Sequence, residues 1–153
     1  MAGAQDTVRL SLRLLTTSRL IEREVDTLMR ARFDSTIARF DFLSALDRHG
    51  PLTLGEVSQY LLVSNGNVTQ LRTRLEADGL IASEQDDNDR RVLRVRLTRQ
   101  GESVFKLMAK AHERCVDALL SDLRSTDKQK LMRLLDAAKA SARRKLTKGG
   151  AQP

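Results

Sequence analysis

Aromatic residues and cysteine are scarce in this sequence. Of its 153 residues only 3% are aromatic, with no tryptophan and one tyrosine. Single-strand and RNA binding by base stacking needs exposed aromatic platforms, so this composition disfavours that class. The one cysteine, Cys115, excludes an intramolecular disulfide and a zinc site with several cysteine ligands. The two histidines, His49 and His112, lie far apart in sequence, so we expect neither a metal site nor a cofactor.

Long apolar runs and catalytic motifs are also missing. No run approaches the roughly 20 apolar residues that span a bilayer. The N-terminal stretch MAGAQDTVRL lacks the apolar core of a signal peptide, so we expect a cytoplasmic protein. The sequence has no phosphate-binding loop, no G-x-S-x-G and no H-E-x-x-H. Its scattered carboxylates fit helix ion pairs better than an active site, which argues against an enzyme.

Positive charge is in excess. Lys and Arg number 27 against 20 Asp and Glu, which gives a formal net charge of +7. Such a balance favours an anionic partner, which is nucleic acid, an acidic membrane surface or an acidic protein. The alternative explanation is that the charge only aids solubility.

Helical periodicity extends over most of the chain. The spacing predicts a first helix over 7–29, a second over 36–47, and a long one from Thr98 to about Leu123. A final helix follows, and its basic end, residues 139–153, is expected to fray. The first and the long helix carry apolar stripes too extensive for so small a domain to bury, so part of them is expected to meet another subunit or the C-terminal helices.

Two short helices and a hairpin lie between these segments. A third helix begins at Thr53, whose spacing to Glu56 fits a capping box. A fourth follows after a few residues, with Ser64 as its N-cap and Gly79 after its C-terminal end. Residues 80–83 and 92–97 then predict two strands about a polar turn. This order of elements is that of a winged helix-turn-helix, in which the last helix of the trio enters the major groove.

The outer face of the fourth helix has the chemistry needed to read base edges. Val68, Leu71 and Leu75 fall on one side of it, and amide, hydroxyl and guanidinium groups fall on the other. Such groups bond to adenine and guanine edges, and a threonine methyl contacts thymine. The alternative is a solvated polar face. The candidate DNA-contacting residues of this helix and the turn before it are Ser64, Asn65, Gly66, Asn67, Thr69, Gln70, Thr73 and Arg74.

The stretch DDNDRRVLRVRLT places acids beside arginines at the hairpin tip. Arg90 and Arg91 are expected at the tip, where a narrow minor groove attracts arginine. Asp89, or Asp86 across the turn, is expected to hold one guanidinium in a forked pair. Three further arginines nearer the base are expected to touch phosphates: Arg94, Arg96 and Arg99. The alternative is a solvated hairpin with mutual ion pairs.

The stretches NVTQLRTRLEADGL and NDRRVLRVRLT resemble the recognition helix and the wing of the MarR family of transcriptional regulators. The resemblance covers essentially the whole chain. It implies a mainly α fold with a small β-hairpin wing, in a single domain over 1–153. The winged helix-turn-helix would occupy 35–98, dimerisation helices 7–30 and 100–146, and a flexible tail 147–153. Thr73 and Gln70 stand where many members have aspartate and arginine, so the base preference is expected to differ.

The resemblance also implies how the protein is used. It implies a homodimer that binds double-stranded DNA at a pseudo-palindromic operator as a sequence-specific regulator. Family members are commonly repressors released by a small aromatic carboxylate or phenol. The residues expected to contact such a ligand are Arg13, Phe33, Arg39, Phe40 and His49. Phe40 as plain core and Arg39 as an ion-pair partner are the structural alternatives.

The sequence is also compatible with other functions. A ligand-independent architectural DNA-binding protein would use the same wing and the same charge. A winged-helix protein-interaction module is disfavoured, because a protein partner needs neither the arginine-rich wing nor the carboxylate-poor helix face. Oxidant sensing by Cys115 is a further possibility, but its place on an apolar stripe favours a buried small hydrophobe.

Overall fold

The computed structural model describes residues 2–61 and 67–149, and the chain divides into two compact units, residues 1–116 and 117–153. The first unit holds α1 (Ala2–Phe33), α2 (Ile37–His49), β1 (Leu52–Thr53), α3 (Leu54–Tyr60), α4 (Val68–Ala77), β2 (Ile81–Gln85), β3 (Leu93–Leu97) and most of α5 (Arg99–Leu119). The second unit holds the end of α5 and α6 (Ser125–Gly149). The fold is therefore mainly α with a small antiparallel sheet, as the sequence predicts.

Several helix ends differ from the predicted ones: α1 spans 2–33 instead of 7–29, and α2 spans 37–49 instead of 36–47. α5 stops at Leu119 instead of Leu123, because the next backbone bonds, such as Leu123 N–H to Leu120 O, close three-residue turns. The expectation of a frayed tail from residue 139 is wrong as far as Gly149, where α6 ends. Alanine, lysine, arginine and leucine fill residues 137–146 apart from Ser141, and all four are strong helix formers.

The core of the first unit lies where α2 meets the other elements. Phe42 and Leu43 of α2 are fully buried. Among the described residues, the other fully buried large side chains are Val25, Met29, Val57, Leu75, Ile81, Val95 and Met108. They come from α1, α3, α4, both hairpin strands and α5, so one cluster fixes the winged motif to the helices around it.

The apolar stripe of α1 is buried at one end only. Val25 and Met29 are in the core, and Ile21 and Leu28 pack against it. The stripe's earlier residues are exposed in the single chain: Val8, Leu12 and Leu15, with Leu10 and Leu20 beside them.

The sheet has three antiparallel strands in the order β1-β3-β2. Ile81 pairs with Leu97 and Leu52 pairs with Val95, so β3 is the central strand. The sequence pattern predicts β2 and β3 but not β1. Two residues after a proline carry too short a pattern to be read as a strand.

Thr98 and Gly101 join the sheet tightly to α5. The Thr98 hydroxyl donates to Gly79 O at 2.6 Å and accepts from Gly101 N–H at 3.0 Å. The Thr98 N–H donates to Leu80 O at 3.1 Å. Gly101 packs so closely that an added Cβ would lie 1.9 Å from the Leu80 carbonyl oxygen. No residue with a side chain fits there without moving the backbone.

Candidate nucleic-acid interface

The two faces of α4 differ in chemistry. Leu75 is buried, and Val68 and Leu71 are half-buried against the core, as their spacing predicts. The Glu76 carboxylate is turned to the sheet, where it accepts the Ser83 N–H at 3.1 Å. The opposite face exposes Asn67, Thr69, Gln70, Thr73, Arg74 and Ala77. The exposed side chains of residues 67–77 therefore include amide, hydroxyl and guanidinium groups and no carboxylate.

The N-cap of α4 is Asn67, and the prediction of Ser64 is wrong. The Asn67 side-chain oxygen accepts the Gln70 N–H at 3.3 Å, which satisfies one of the free donors of the first turn. The Asn67 amide nitrogen keeps two donors for another partner. The other predicted contacts in this turn, Asn65 and Gly66, lie with Ser64 outside the described residues.

The C-terminal end of α4 is closed by Gly79. Gly79 has φ +72°, and its N–H donates to Glu76 O at 3.0 Å. The Leu80 N–H donates to Leu75 O, also at 3.0 Å. These two bonds form a Schellman motif, and the left-handed residue it needs is the glycine predicted from the sequence.

An ion pair from α2 also holds this end of α4. The Arg39 guanidinium donates to the carboxylate of Asp78, the C-cap residue. The Arg39 side chain is only 16% exposed, whereas Asp78 is 52% exposed. Arg39 thus forms an ion pair, as the structural alternative predicts. The arginine sets where α4 ends relative to α2.

The turn between β2 and β3, residues 86–92, will be called the wing tip. The Asp86 side chain accepts the N–H groups of Asn88 at 2.8 Å and Asp89 at 3.2 Å, which shapes the turn. Asp89 in turn holds Arg91 through Nε at 3.1 Å and Nη2 at 3.4 Å. The predicted forked pair is thus confirmed for Asp89 and Arg91. Arg90 is exposed and makes no ion pair with a carboxylate of the described residues.

Arg94 and Arg96, which are expected to touch phosphates, form ion pairs within the protein. Arg94 bonds Asp86 and also Glu56 of α3, the latter at 3.2 Å. Arg96 bonds Glu84 of the neighbouring strand. β3 is the central strand, and these carboxylates belong to α3, the wing tip and β2, whereas β1 has none. Arg99 is exposed at the start of α5.

Three carboxylates of the wing tip and α3 have lowered pKa values: Asp86, Asp89 and Glu56. The hydrogen bond from Arg94 lowers the pKa of Asp86, and that from Arg91 lowers the pKa of Asp89. The Thr53 N–H lowers the pKa of Glu56. Because folded-state pKa values are below the unfolded ones, these groups stabilise the fold above the ordinary carboxyl pKa. That contribution is lost as pH falls through the lowered values.

The five predicted ligand residues do not meet in one place. Arg13 is exposed on α1, where it donates to Arg9 O at 3.3 Å. Phe33 is half-buried under the Arg32 guanidinium. His49 is exposed and stacks on Tyr60 at 3.9 Å between ring centroids. Phe40 is core, as the structural alternative has it.

An aromatic cluster surrounds Phe40. Its ring stacks on Phe105 at 5.6 Å and on His112 at 4.8 Å between centroids. Burial lowers the pKa of His112, so this ring is neutral at pH 7. One turn further along α5, Cys115 is half-buried against the core. The sequence does not place Phe40 and His112 together, because they lie on separate helices.

We expect His112 to make stability pH-dependent. Its pKa is lowered on folding, so the unfolded chain binds more protons between the ordinary value of 6.5 and the lowered one. Stability should therefore fall as pH drops below about 6.5. Urea unfolding at pH 7.5 and 5.5 checks this, with His112→Phe keeping a ring on Phe40. The variant should lose less stability than the native chain over this range, and equal losses would contradict the assignment.

A cleft of about 370 Å³ opens beside the C-terminal end of α2. It is lined by Leu46, Asp47, Gly50, Pro51, Arg96, Leu97 and Glu102, and by none of the predicted ligand residues. In the described part of the chain, no three His, Cys, Asp or Glu side chains converge as metal ligands do. No described helix is both long and apolar enough to cross a membrane.

Comparison with known proteins places this arrangement among regulators of transcription. A sequence model of the MarR family matches residues 33–92, which span α2 to the wing tip. An uncharacterised HTH-type transcriptional regulator of Bacillus cereus is 30% identical over 101 residues. That match covers 66% of this chain and 67% of the relative.

Solved structures agree in fold over more of the chain. A MarR family regulator from Silicibacter pomeroyi superposes with a TM-score of 0.81 at 26% identity, covering 93% of this chain and 99% of that one. BpsR of Bordetella bronchiseptica gives 0.68 at 26% identity, covering 81% and 90%. The DNA binding of BpsR is regulated by 6-hydroxynicotinic acid.

Proposed function

Because this chain belongs to the MarR family of DNA-binding transcription regulators, we propose that it is a cytoplasmic repressor released from its operator by a small anionic or phenolic ligand. As a member of that family it is a transcription regulator and not an enzyme. The observation that carries its DNA-binding part is the exposed face of α4, which has no carboxylate, beside a wing tip that presents arginine.

In the proposed complex α4 lies in the major groove. Gln70 and Thr73 face the bases from its middle, and Arg74 is within reach of guanine or phosphate. The wing tip enters the adjacent minor groove, where Arg91 meets the more negative potential of a narrow groove. Asn67, Thr69 and the preceding residues 64–66 contact the backbone or the first bases. Free N–H groups at the N-terminus of α4 favour phosphate.

The proposed active species is a homodimer. The first half of α1 exposes Val8, Leu12 and Leu15, and large apolar side chains are also exposed on α6: Leu131, Met132, Leu134 and Leu135. Stripes of this size on long helices are typical of surfaces that another subunit covers. Two winged motifs related by a two-fold axis would match the two-fold symmetry of a pseudo-palindrome.

Arg39 offers a route by which an anionic ligand releases DNA. Its guanidinium is held by Asp78 at the end of α4, and the neighbouring Phe40 belongs to the aromatic cluster with Phe105 and His112. A carboxylate that binds Arg39 in place of Asp78 frees one end of α4. Such a ligand has a higher affinity for the released state than for the DNA-bound state. This difference in affinity is required for a ligand to control DNA binding.

The test is fluorescence anisotropy with a labelled duplex recovered by selection from random DNA. Benzoate, salicylate, hydroxynicotinate, phenols and aromatic acyl thioesters are added in turn. At least one class should weaken binding tenfold or more, and light scattering should show the dimer intact. Benzamide is the neutral control. If no compound changes the dissociation constant, the ligand-independent architectural alternative is favoured and the proposed release is wrong.

The Arg39 route is tested with the compound that releases DNA. Arg39→Gln should abolish the response to that compound, because the variant has no cation for the anion to bind. Asp78→Asn should weaken DNA binding without ligand and should raise the affinity for the compound, since Asp78 no longer competes for Arg39. An unchanged response in both variants would place the ligand elsewhere.

A further inference from the structure

We propose that Arg94 is a positioning residue that fixes the wing on the helix-turn-helix and thereby aims Arg91. This inference rests on the proposed contact of the wing tip with the minor groove. Arg94 itself contacts neither bases nor phosphates. It acts through a continuous chain of hydrogen bonds and ion pairs that runs from the start of α3 to Arg91, and we call this chain the relay.

The relay begins in the capping box of α3. The Glu56 carboxylate accepts the Thr53 N–H at 2.8 Å, and the Thr53 hydroxyl accepts the Glu56 N–H at 3.2 Å. The same Glu56 oxygen also accepts Arg94 Nη1 at 3.2 Å. One carboxylate therefore caps the start of α3 and also holds Arg94 of β3. The position of α3 thus helps to fix the position of the Arg94 guanidinium.

The other side of Arg94 controls the wing tip. Its Nε donates to Asp86 Oδ2, and the other Asp86 oxygen accepts the N–H groups of Asn88 and Asp89. Asp89 then holds Arg91 by the backbone N–H and the guanidinium, at 3.1 Å to each nitrogen. Every bond of the relay after Arg94 joins wing-tip residues that are close in sequence. Arg94 is therefore the residue of the relay that connects the wing tip to α3.

An arginine suits this position better than any other residue. Arg94 lies on the central strand, opposite Thr53 of β1 and Glu84 of β2. Its planar guanidinium carries several donors in a rigid fork and serves two carboxylates at once, whereas a lysine is a point charge on a flexible stem. A flexible hairpin loses entropy when it docks. Holding the wing tip in advance lowers that cost, which is the physical reason that the relay raises DNA affinity.

For two variants, simple electrostatics and the relay predict opposite changes in DNA affinity. Glu56→Gln and Asp86→Asn each remove a negative charge near DNA, so simple electrostatics predicts tighter binding. Gln still closes a capping box and Asn still shapes the turn. We expect both variants to bind the selected duplex about five- to tenfold more weakly. Asp87→Asn, the matched control, removes an exposed wing-tip charge outside the relay and should bind as tightly as the native chain or more tightly.

A double-mutant cycle separates positioning from direct contact. Arg94→Met should weaken binding about tenfold in the native background and less than twofold in Arg91→Ala. Two independent contacts would instead give additive losses. A phosphate contact by Arg94 would also lower the slope of log affinity against log salt by about 0.9 per wing. We expect that slope to change by less than half of this in the Arg91→Ala background.

Each outcome is decisive. Additive losses, or tighter binding by Glu56→Gln and Asp86→Asn, would overturn the relay while leaving the wing contact in place. Native affinity of Arg91→Ala would overturn the proposed wing contact itself and the relay with it. Arg94→Lys should recover only part of the loss, because lysine cannot hold both carboxylates in the forked geometry. Full recovery would show that charge and not geometry is needed at this position.

Discussion

Replacing Arg90 and Arg91 together with alanine is expected to lower operator affinity a hundredfold or more and to leave the fold intact. Arg91 is 91% exposed, so its removal costs no packing. Surface substitutions of this kind change stability by about 0.5 kcal/mol or less. Each proposed dimer carries two wings, and about 1.4 kcal/mol lost per wing already gives a hundredfold. We expect Arg91→Ala alone to account for most of the loss, because Asp89 holds that guanidinium in place.

Anisotropy with the selected duplex and thermal unfolding of the same preparations check this prediction. The matched control is Lys106→Ala with Lys110→Ala, which removes two positive charges from exposed positions of α5. The DNA affinity of the control should fall less than about threefold, since the two substitutions remove only non-specific attraction between positive charge and DNA. Equal losses in the two double variants would mean that net charge, and not a minor-groove contact, explains the affinity.

Gly101→Ala is expected to cause the largest loss of stability of the changes considered. The added Cβ would lie 1.9 Å from Leu80 O, and the atom it meets is backbone and cannot rotate away. Overpacking of a tight contact costs about 1–3 kcal/mol and occasionally more. We expect about 3 kcal/mol here, which lowers the unfolding temperature by roughly 6–12 °C in a chain of this size. DNA binding should weaken too, since the Leu80 N–H makes one of the two bonds of the Schellman motif that ends α4.

Gly55→Ala is a control that should raise the stability of the fold instead of lowering it. An added Cβ at Gly55 meets only the Thr53 hydroxyl at 3.9 Å, an ordinary contact. Gly55 lies in α3, and alanine stabilises a helix by about 0.5–1 kcal/mol relative to glycine. Thermal unfolding should therefore show a small gain for Gly55→Ala and a large loss for Gly101→Ala. Similar melting temperatures for the two variants would mean that α5 shifts freely away from Leu80.

The sequence predicts those parts of the protein whose signals are local. The period of Val68, Leu71 and Leu75 predicts the buried face of α4. Thr53 and Glu56 give the start of α3, and the alternation over 93–97 gives β3. The choice of Ser64 over Asn67 as N-cap failed although both are good capping residues, because propensity alone does not say at which residue a helix begins.

The features that the sequence does not predict depend on contacts between residues that are far apart in the sequence. Glu56 and Arg94 are 38 positions apart, and Arg39 and Asp78 are 39 apart. No periodic pattern links them, and the acids and arginines of the wing allow several pairings. Which pairing forms is determined when β3 pairs with β1 and β2. The sequence therefore indicated that the wing acids hold arginines, but it could not show that Arg94 ties the wing to α3.

Selection of DNA from a random pool by the native protein tests whether α4 and the wing tip recognise a specific sequence. If α4 reads bases and the wing reads the minor groove, the pool should converge on a pseudo-palindrome with half-sites about one helical turn apart. The enriched duplex should bind at least about 10³-fold more tightly than the starting pool at physiological salt. A pool without a common sequence, bound in a salt-sensitive way and no more tightly than random DNA, would contradict sequence-specific recognition by this surface.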